Sequence, residues 1–487
     1  MIGSNSYVTA YGYDAADHIT QLTLPSGRIV SFTYNTRNEV ASVKMQTNAA
    51  AALENVATAV SWRAMSGLLS SFTYGNGLSF VATYDLDNRL ATLKVKDGAA
   101  SLISKAYSYG DGLNLTAIHD GLDAAQDVDL AYTPANRLDV ATGPWGSLDY
   151  AYDAVGNRTQ EVKIQSGVTT TTVLAYQSTS NRIASETVNG AQSRAFSYDA
   201  AGNQLSGLPP GASYTLTYDK RNRPNMLKLN GSIVASYRYN GLEQMALRTI
   251  SAPLYPAGTV HYIYDLEGHL IAEADGATGA ISRDYVWLEG MPLAVIDGTA
   301  TPVTSFVHVD HLMRPIRLTD ASKATVWSAT WLPWGGAHIT SGATAQNLRF
   351  PGQYFLIEQG LHYNWRRIYD PTTGRYTQPD PLGFPDGPAR YAYAGNMPLM
   401  NVDRNGLTWV STPFGPVYVP DEEPNDGASC PAQQLPKHGK CFFQFFGKIG
   451  GRGVCTYHCP ESGRQRVVVI GSLGKEFCPR EILDVGR

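Results

Sequence analysis

A short pattern recurs along most of this chain. It runs aromatic, any residue, Tyr, then Asp or Asn, two or three loose residues, Gly or Asn, and an aliphatic stretch. Clear copies are YGYDAADHI (Tyr11 to Ile19), FTYNTRNEV (Phe32 to Val40), YAYDAVGNR (Tyr150 to Arg158), FSYDAAGNQL (Phe196 to Leu205), LTYDKRNRP (Leu216 to Pro224) and YIYDLEGHLIAEAD (Tyr262 to Asp275). Weaker copies are ATYDLDNRL, LAYTPANRL, YSYGDGLNL and YRYNGLEQM. A fixed repeat of this kind constrains the fold more than any single motif.

Each copy reads as a β-hairpin. Residues two apart, such as Tyr150 and Tyr152, share one strand face. Asp153 opens a turn by bonding backbone two residues on, and Gly156 or Asn157 tolerates positive φ there. A lone hairpin is marginal in water, so the copies must stack into a long curled sheet. Composition agrees: 29 Tyr against 14 Phe, 47 Gly, 27 Pro and only 16% charged residues in 487. A net charge of -4 excludes a chain-wide nucleic-acid coat or an electrostatic membrane binder. No run of about 18 apolar residues spans a bilayer. The opening MIGSNSYVTAYGYD has neither the basic nor the apolar region of an ordinary secretory signal.

From Tyr285 the sequence changes character. YVWLEGMPLAVI, FVHVDHLMRPIRLTD, ATVWSATWLPWGG, LRFPGQYFLIEQGLHYNWRRIYDPTTGRYTQPDPLG and YAYAGNMPLMNVDRNGL follow in order up to Leu407. Together with the repeats, these motifs resemble the YD repeats and repeat-associated core of the Rhs family, over about residues 7–407. The family includes teneurins, wall-associated toxins and the C component of insecticidal Tc toxins. The resemblance implies an all-β fold: hairpins in a curled, cocoon-like shell (1–284), closed by the core (285–407), then a linker (408–429) and a small variable effector module (430–487). Within the core, His308, Asp310 and His311 lack a third metal ligand and read as structural. Trp327, Trp331 and Trp334 read as packing residues, and Arg366, Arg367 and Asp370 as a polar layer.

Two tetrads, Asp380-Pro381-Leu382-Gly383 and Asp403-Arg404-Asn405-Gly406, are separated by residues 384–402. Each reads as a strand end feeding a turn. Two carboxyls brought together cannot both ionise at neutral pH, so the pair can serve as acid and base on a water. The bland alternative is that both aspartates only cap turns. The tetrads resemble the family's self-cleaving element. That implies Asp380 and Asp403 as a single-turnover aspartyl pair and a cut between Leu407 and Thr408, with Arg375 as a supporting cation. The second tetrad departs from the common Asp-Pro-x-Gly, which bears on efficiency.

All five cysteines, Cys430, Cys441, Cys455, Cys459 and Cys478, lie in the last sixty residues, which also carry net positive charge. Four of the five would form two disulfides in an oxidising space, leaving one over; the alternative is zinc held by Cys455, His458 and Cys459 with Cys441 or Cys478. Strands are expected at 441–447, 453–458 and 464–471. His438 or His458 as general base would make the tail a nuclease, with nucleic acid as its target; a solvated role for both is the alternative. The family resemblance implies no resident cofactor in the shell. It further implies a cognate immunity protein, a component of a specialised export system, and a cytoplasmic residence before delivery. Rival readings are an adhesive surface protein binding glycans or a partner cell, and an inert displaced fragment.

Overall fold

The computed structural model describes residues 2–411, apart from 65, 111–113, 210, 252–256, 299–301 and 385. It also describes the backbone of four strands between 439 and 484. The chain divides into two compact units, residues 1–60 with 71–414, and residues 61–70 with 415–487.

The first element is a 17-stranded sheet. Its strands pair antiparallel with their sequence neighbours, from Ala10–Tyr13 to Glu54–Trp62 and from Leu69–Tyr74 to Ala191–Ala195. A second meander of 12 strands runs from Tyr214–Tyr218 to Ala337–Gly342 and continues without interruption across Tyr285. The all-β curled architecture expected from the repeat is present, as two large sheets. Between Ala195 and Tyr214 the repeat copy from Phe196 to Leu205 forms only an isolated bridge, Tyr198 to Gln204.

The repeat has a common local cause. Asp85 Oδ1 accepts from the Asp87 and Arg89 backbone N–H at 2.9 Å each. Asp153 Oδ1 does the same with Val155 at 3.1 Å and Asn157 at 2.8 Å. The residue three after the acid takes positive φ: Asn88 at 62°, Gly156 at 95°, Asn222 at 60°. The pairing register then slips at the second Tyr of the copy, as at Thr33/Tyr34, Ala151/Tyr152 and Arg238/Tyr239. Such bulges increase local twist, which curls the sheet.

The same slip aims the phenol at the preceding hairpin. The hydroxyl donates to the carbonyl of the residue that opens the previous return strand: Tyr34 to Ile19 at 2.8 Å, Tyr109 to Leu90 at 3.0 Å, Tyr176 to Arg158 at 2.7 Å, Tyr239 to Pro224 at 2.8 Å. Trp287 and Trp331 make the equivalent bond with indole N–H, to Leu270 at 2.9 Å and Pro315 at 2.8 Å. A phenylalanine cannot make this bond, which explains the excess of tyrosine.

A small four-stranded sheet, Tyr354–Leu356, Leu361–Asn364, Arg367–Asp370 and Arg375–Tyr376, is almost wholly buried. It is bonded to both meanders: Arg158 reaches the Thr372 carbonyl at 2.5 Å, and the Tyr363 hydroxyl accepts from the Met245 N–H at 2.8 Å. The meanders also bond each other, through Tyr74 to the Val307 carbonyl at 2.9 Å and through the Arg28–Asp284 pair at 3.1 Å.

In the second unit, strands Gly439–Ile449, Arg452–Cys459 and Arg464–Gly471 contain the three expected ones. A fourth, Glu481–Asp484, pairs antiparallel with Gly439 to Phe442 and was not expected, being four residues without a clear alternation. Among the described residues no helix is long and apolar enough to cross a membrane.

Candidate functional site

Asp380 and Asp403 use the turn chemistry of the repeats. Asp380 Oδ1 accepts from the Leu382 N–H at 2.8 Å. Asp403 Oδ1 accepts from the N–H of Gly406 at 2.8 Å and of Leu407 at 3.1 Å. Gly383 and Gly406 carry the positive φ, 94° and 73°. At Gly406 a side chain is also excluded by space, because a Cβ would lie 2.5 Å from the Asn364 carbonyl oxygen. Turn capping thus accounts for one oxygen of each carboxyl.

The other oxygens meet on one cation. Arg367 NH1 is 3.2 Å from Asp380 Oδ2, and NH2 is 3.0 Å from Asp403 Oδ2. The Arg367 side chain is 2% exposed. Its guanidinium lies 3.7 Å from the centroid of the Tyr376 ring. Nε donates to the Gly406 carbonyl at 2.6 Å, and NH2 also reaches the Leu407 carbonyl at 3.4 Å. The Tyr376 hydroxyl donates to Asp403 Oδ2 at 2.7 Å and accepts from Asn364 Nδ2 at 2.7 Å. One guanidinium therefore joins both aspartates and the carbonyl of the Leu407–Thr408 bond.

Burial pushes the Asp380 carboxyl up from the usual range, and Arg367 is the largest opposing influence. Burial also raises Asp403, against Arg367, Tyr376 and the two backbone donors. Both buried carboxyls thus face the one Arg367 guanidinium.

The chain beyond Leu407 is held as well. Val410 and Ser411 pair antiparallel with Val402 and Asn401, and the Ser411 hydroxyl donates to Asn401 Oδ1 at 2.8 Å. Here the expected linker starts as a short strand; residues 412–429 lie outside the described residues.

Two residues at this site were not expected from the sequence. Arg367 was placed in a polar layer, because nothing in WRRIYD signals its contacts 36 and 40 positions away. Asp386 lies between the two tetrads, in a stretch that matches neither of them. Its carboxyl faces the Trp409 backbone N–H, one residue past Thr408. The residue is solvent-accessible while protein atoms crowd its carboxyl. Desolvation pushes it up to about 7, aided by the charges of Asp403 and then Asp380.

Arg375, expected as the supporting cation, is held elsewhere. It donates to Asn157 Oδ1 at 2.9 Å and to the Asn181 carbonyl at 2.7 Å. It therefore ties the small sheet to the first meander, and Arg367 takes the position beside the carboxyls. The core histidines each bond through one ring nitrogen. His308 Nε2 meets the Thr319 hydroxyl at 2.9 Å, and His311 Nε2 bonds the Leu399 carbonyl at 3.0 Å. Asp310 accepts from Arg314. Among the described residues no group of three or more His, Cys, Asp or Glu side chains is placed to hold a metal. The side chains of Cys430, Cys441, Cys455, Cys459, Cys478, His438 and His458 lie outside what is described, and with them the disulfide, zinc and general-base expectations.

No family profile matches the chain. Its similar proteins include "Double-stranded DNA deaminase toxin A" of Burkholderia cenocepacia, 29% identical over 307 residues, 61% of this chain and 19% of that protein. "Toxin protein Tse5" of Pseudomonas aeruginosa is 39% identical over 121 residues, 24% of this chain and 9% of that protein. The chain thus spans less than a fifth of the length of these relatives. Among solved structures, the TcdB2-TccC3 complex matches with a TM-score of 0.71 at 17% identity, over 83% of this chain and 22% of that one. The chain is related in sequence to toxin proteins, and it shares the shell-like all-β fold of the TcdB2-TccC3 structure.

Proposed function

We propose that this chain is an Rhs-type toxin shell that contains its own residues 408–487 as an effector. It frees them by one aspartyl cleavage between Leu407 and Thr408. The observation that carries the reading is Arg367, which joins Asp380, Asp403 and the Leu407 carbonyl. In an acyl cleavage, water adds to the Leu407 carbonyl carbon and negative charge develops on its oxygen. Arg367 NH2 is the preorganised donor for that charge. A carboxylate takes the proton of the attacking water, and a protonated carboxyl gives one to the Thr408 nitrogen as the C–N bond breaks. The products are a Leu407 carboxylate and a Thr408 amine.

The relatedness to toxin proteins supports an effector role for the tail. The nature of that effector, its immunity protein and its export apparatus belong to the same proposal. The repeat tyrosines form bonds inside the sheet, which leaves little of the exposed aromatic stripe that a glycan-binding surface needs.

The test is a denaturing gel of the freshly folded protein. Wild type should give a large fragment and one of eighty residues whose N-terminal sequence begins Thr-Trp-Val-Ser. Asp380→Asn and Asp403→Asn should each stay full length. A single full-length band from folded wild type overturns the reading.

A further inference from the structure

We infer that Asp386 is the general base that activates the attacking water, a third carboxyl beside the Asp380–Asp403 pair; the inference rests on the self-cleavage reading above. The geometry divides the work among the three acids. A carboxylate offers about four acceptor positions. Asp403 has four donors on it: the N–H groups of Gly406 and Leu407, the Arg367 guanidinium and the Tyr376 hydroxyl. It has no position left for a proton from water, so its part is to orient Arg367 and the Gly406–Leu407 backbone. Among the described residues Asp380 accepts from Leu382 and pairs with Arg367, so the proton that burial retains resides there. Both residues are buried, 3% and 1% exposed, away from the water the reaction consumes.

Asp386 is the acid with access. It is open to solvent, and its carboxyl faces the Trp409 N–H, close to the bond to be cut. The target is fixed too. Asp403 holds the Leu407 N–H, and Val410 is paired with Val402. The charged groups that face Asp386 are Asp403, Asp380 and Arg367. Desolvation, then the two aspartates, bring its titration to about 7, where a base is both partly ionised and strong enough to take a proton.

The step balances without a co-reactant. A water O–H bond breaks and its proton passes to Asp386. The water oxygen bonds to the Leu407 carbonyl carbon, and the carbonyl electron pair moves to the oxygen facing Arg367. Collapse breaks the C–N bond, and the Thr408 nitrogen takes the proton from Asp380.

The experiment starts from full-length chain recovered denatured and refolded by dilution into a pH series spanning neutrality, with cleavage followed on gels. The wild-type rate should rise with pH through about 7 and level off. Asp386→Asn should cleave about 10²-fold more slowly and lose that inflection, and Asp386→Glu should regain it. Asparagine keeps an oxygen acceptor for the Trp409 N–H, so a purely structural role would survive that change. An Asp386→Asn chain that cleaves at the wild-type rate with the wild-type profile overturns the inference. So does a wild-type rate that falls through the same range. Refolded wild type that never cleaves overturns the self-cleavage reading itself, a result distinct from either of these.

Discussion

Arg367 holds one positive charge between two buried carboxyls and two backbone carbonyls, so its removal has two separable effects. Arg367→Met leaves Asp380 and Asp403 without their cation at 4% and 1% side-chain exposure. Breaking a buried pair from one side costs about 3–5 kcal/mol, because the surviving charge stays desolvated. The two carboxyls then rise further and hold their protons. Arg367→Lys keeps the charge as a single point, which cannot reach Asp380, Asp403, Gly406 and Leu407 together. The lysine variant should fold close to wild type, while its cleavage falls by about 10²-fold or more through loss of the donor on the Leu407 carbonyl. Thermal unfolding separates the two variants, and the gel measures cleavage. Wild-type cleavage in the lysine variant would show that the guanidinium fork is not needed.

At the scale of elements, the unit is a hairpin tied to its predecessor by one hydroxyl. Tyr239→Phe removes the donor to the Pro224 carbonyl, a 2.8 Å bond, and should cost about 1–3 kcal/mol, measured by unfolding. Tyr13, 52% exposed, should tolerate the same change within about 0.5 kcal/mol. Equal losses at both would mean that the tyrosines serve by bulk alone. The hairpins were legible because Asp153, Gly156 and the alternating tyrosines act within one copy. The hydroxyl partner was not, since it sits on an earlier strand, 15 positions back for Tyr239. The site divides in the same way. Asp380 and Asp403 announce themselves through the local turn that each one caps. Arg367 and Asp386 gain their meaning only from long-range closure, at Leu407 and Trp409. Arg375 misled because proximity in sequence was its only claim: its strand directs the guanidinium to Asn157, 218 positions away.

For the whole molecule, breaking the Leu407–Thr408 bond is not the same event as letting the tail go. Residues just past the cut remain a strand: Val410 and Ser411 stay paired with Val402 and Asn401, and Ser411 keeps its bond to Asn401. On the other side, Asp403 and Arg367 still hold Leu407. Hydrolysis removes a covalent link and leaves these contacts formed, so the cleaved chain should behave as one particle. Under native conditions both fragments should elute together in size exclusion, at the volume of the uncleaved Asp403→Asn protein. They should separate only in denaturant. Substituting Val410 with proline, which has no N–H for the ladder, should loosen the small fragment after cleavage without altering the carboxyl cluster. If the small fragment of the wild type elutes alone in native buffer, the strand does not retain it, and cleavage by itself would suffice for release.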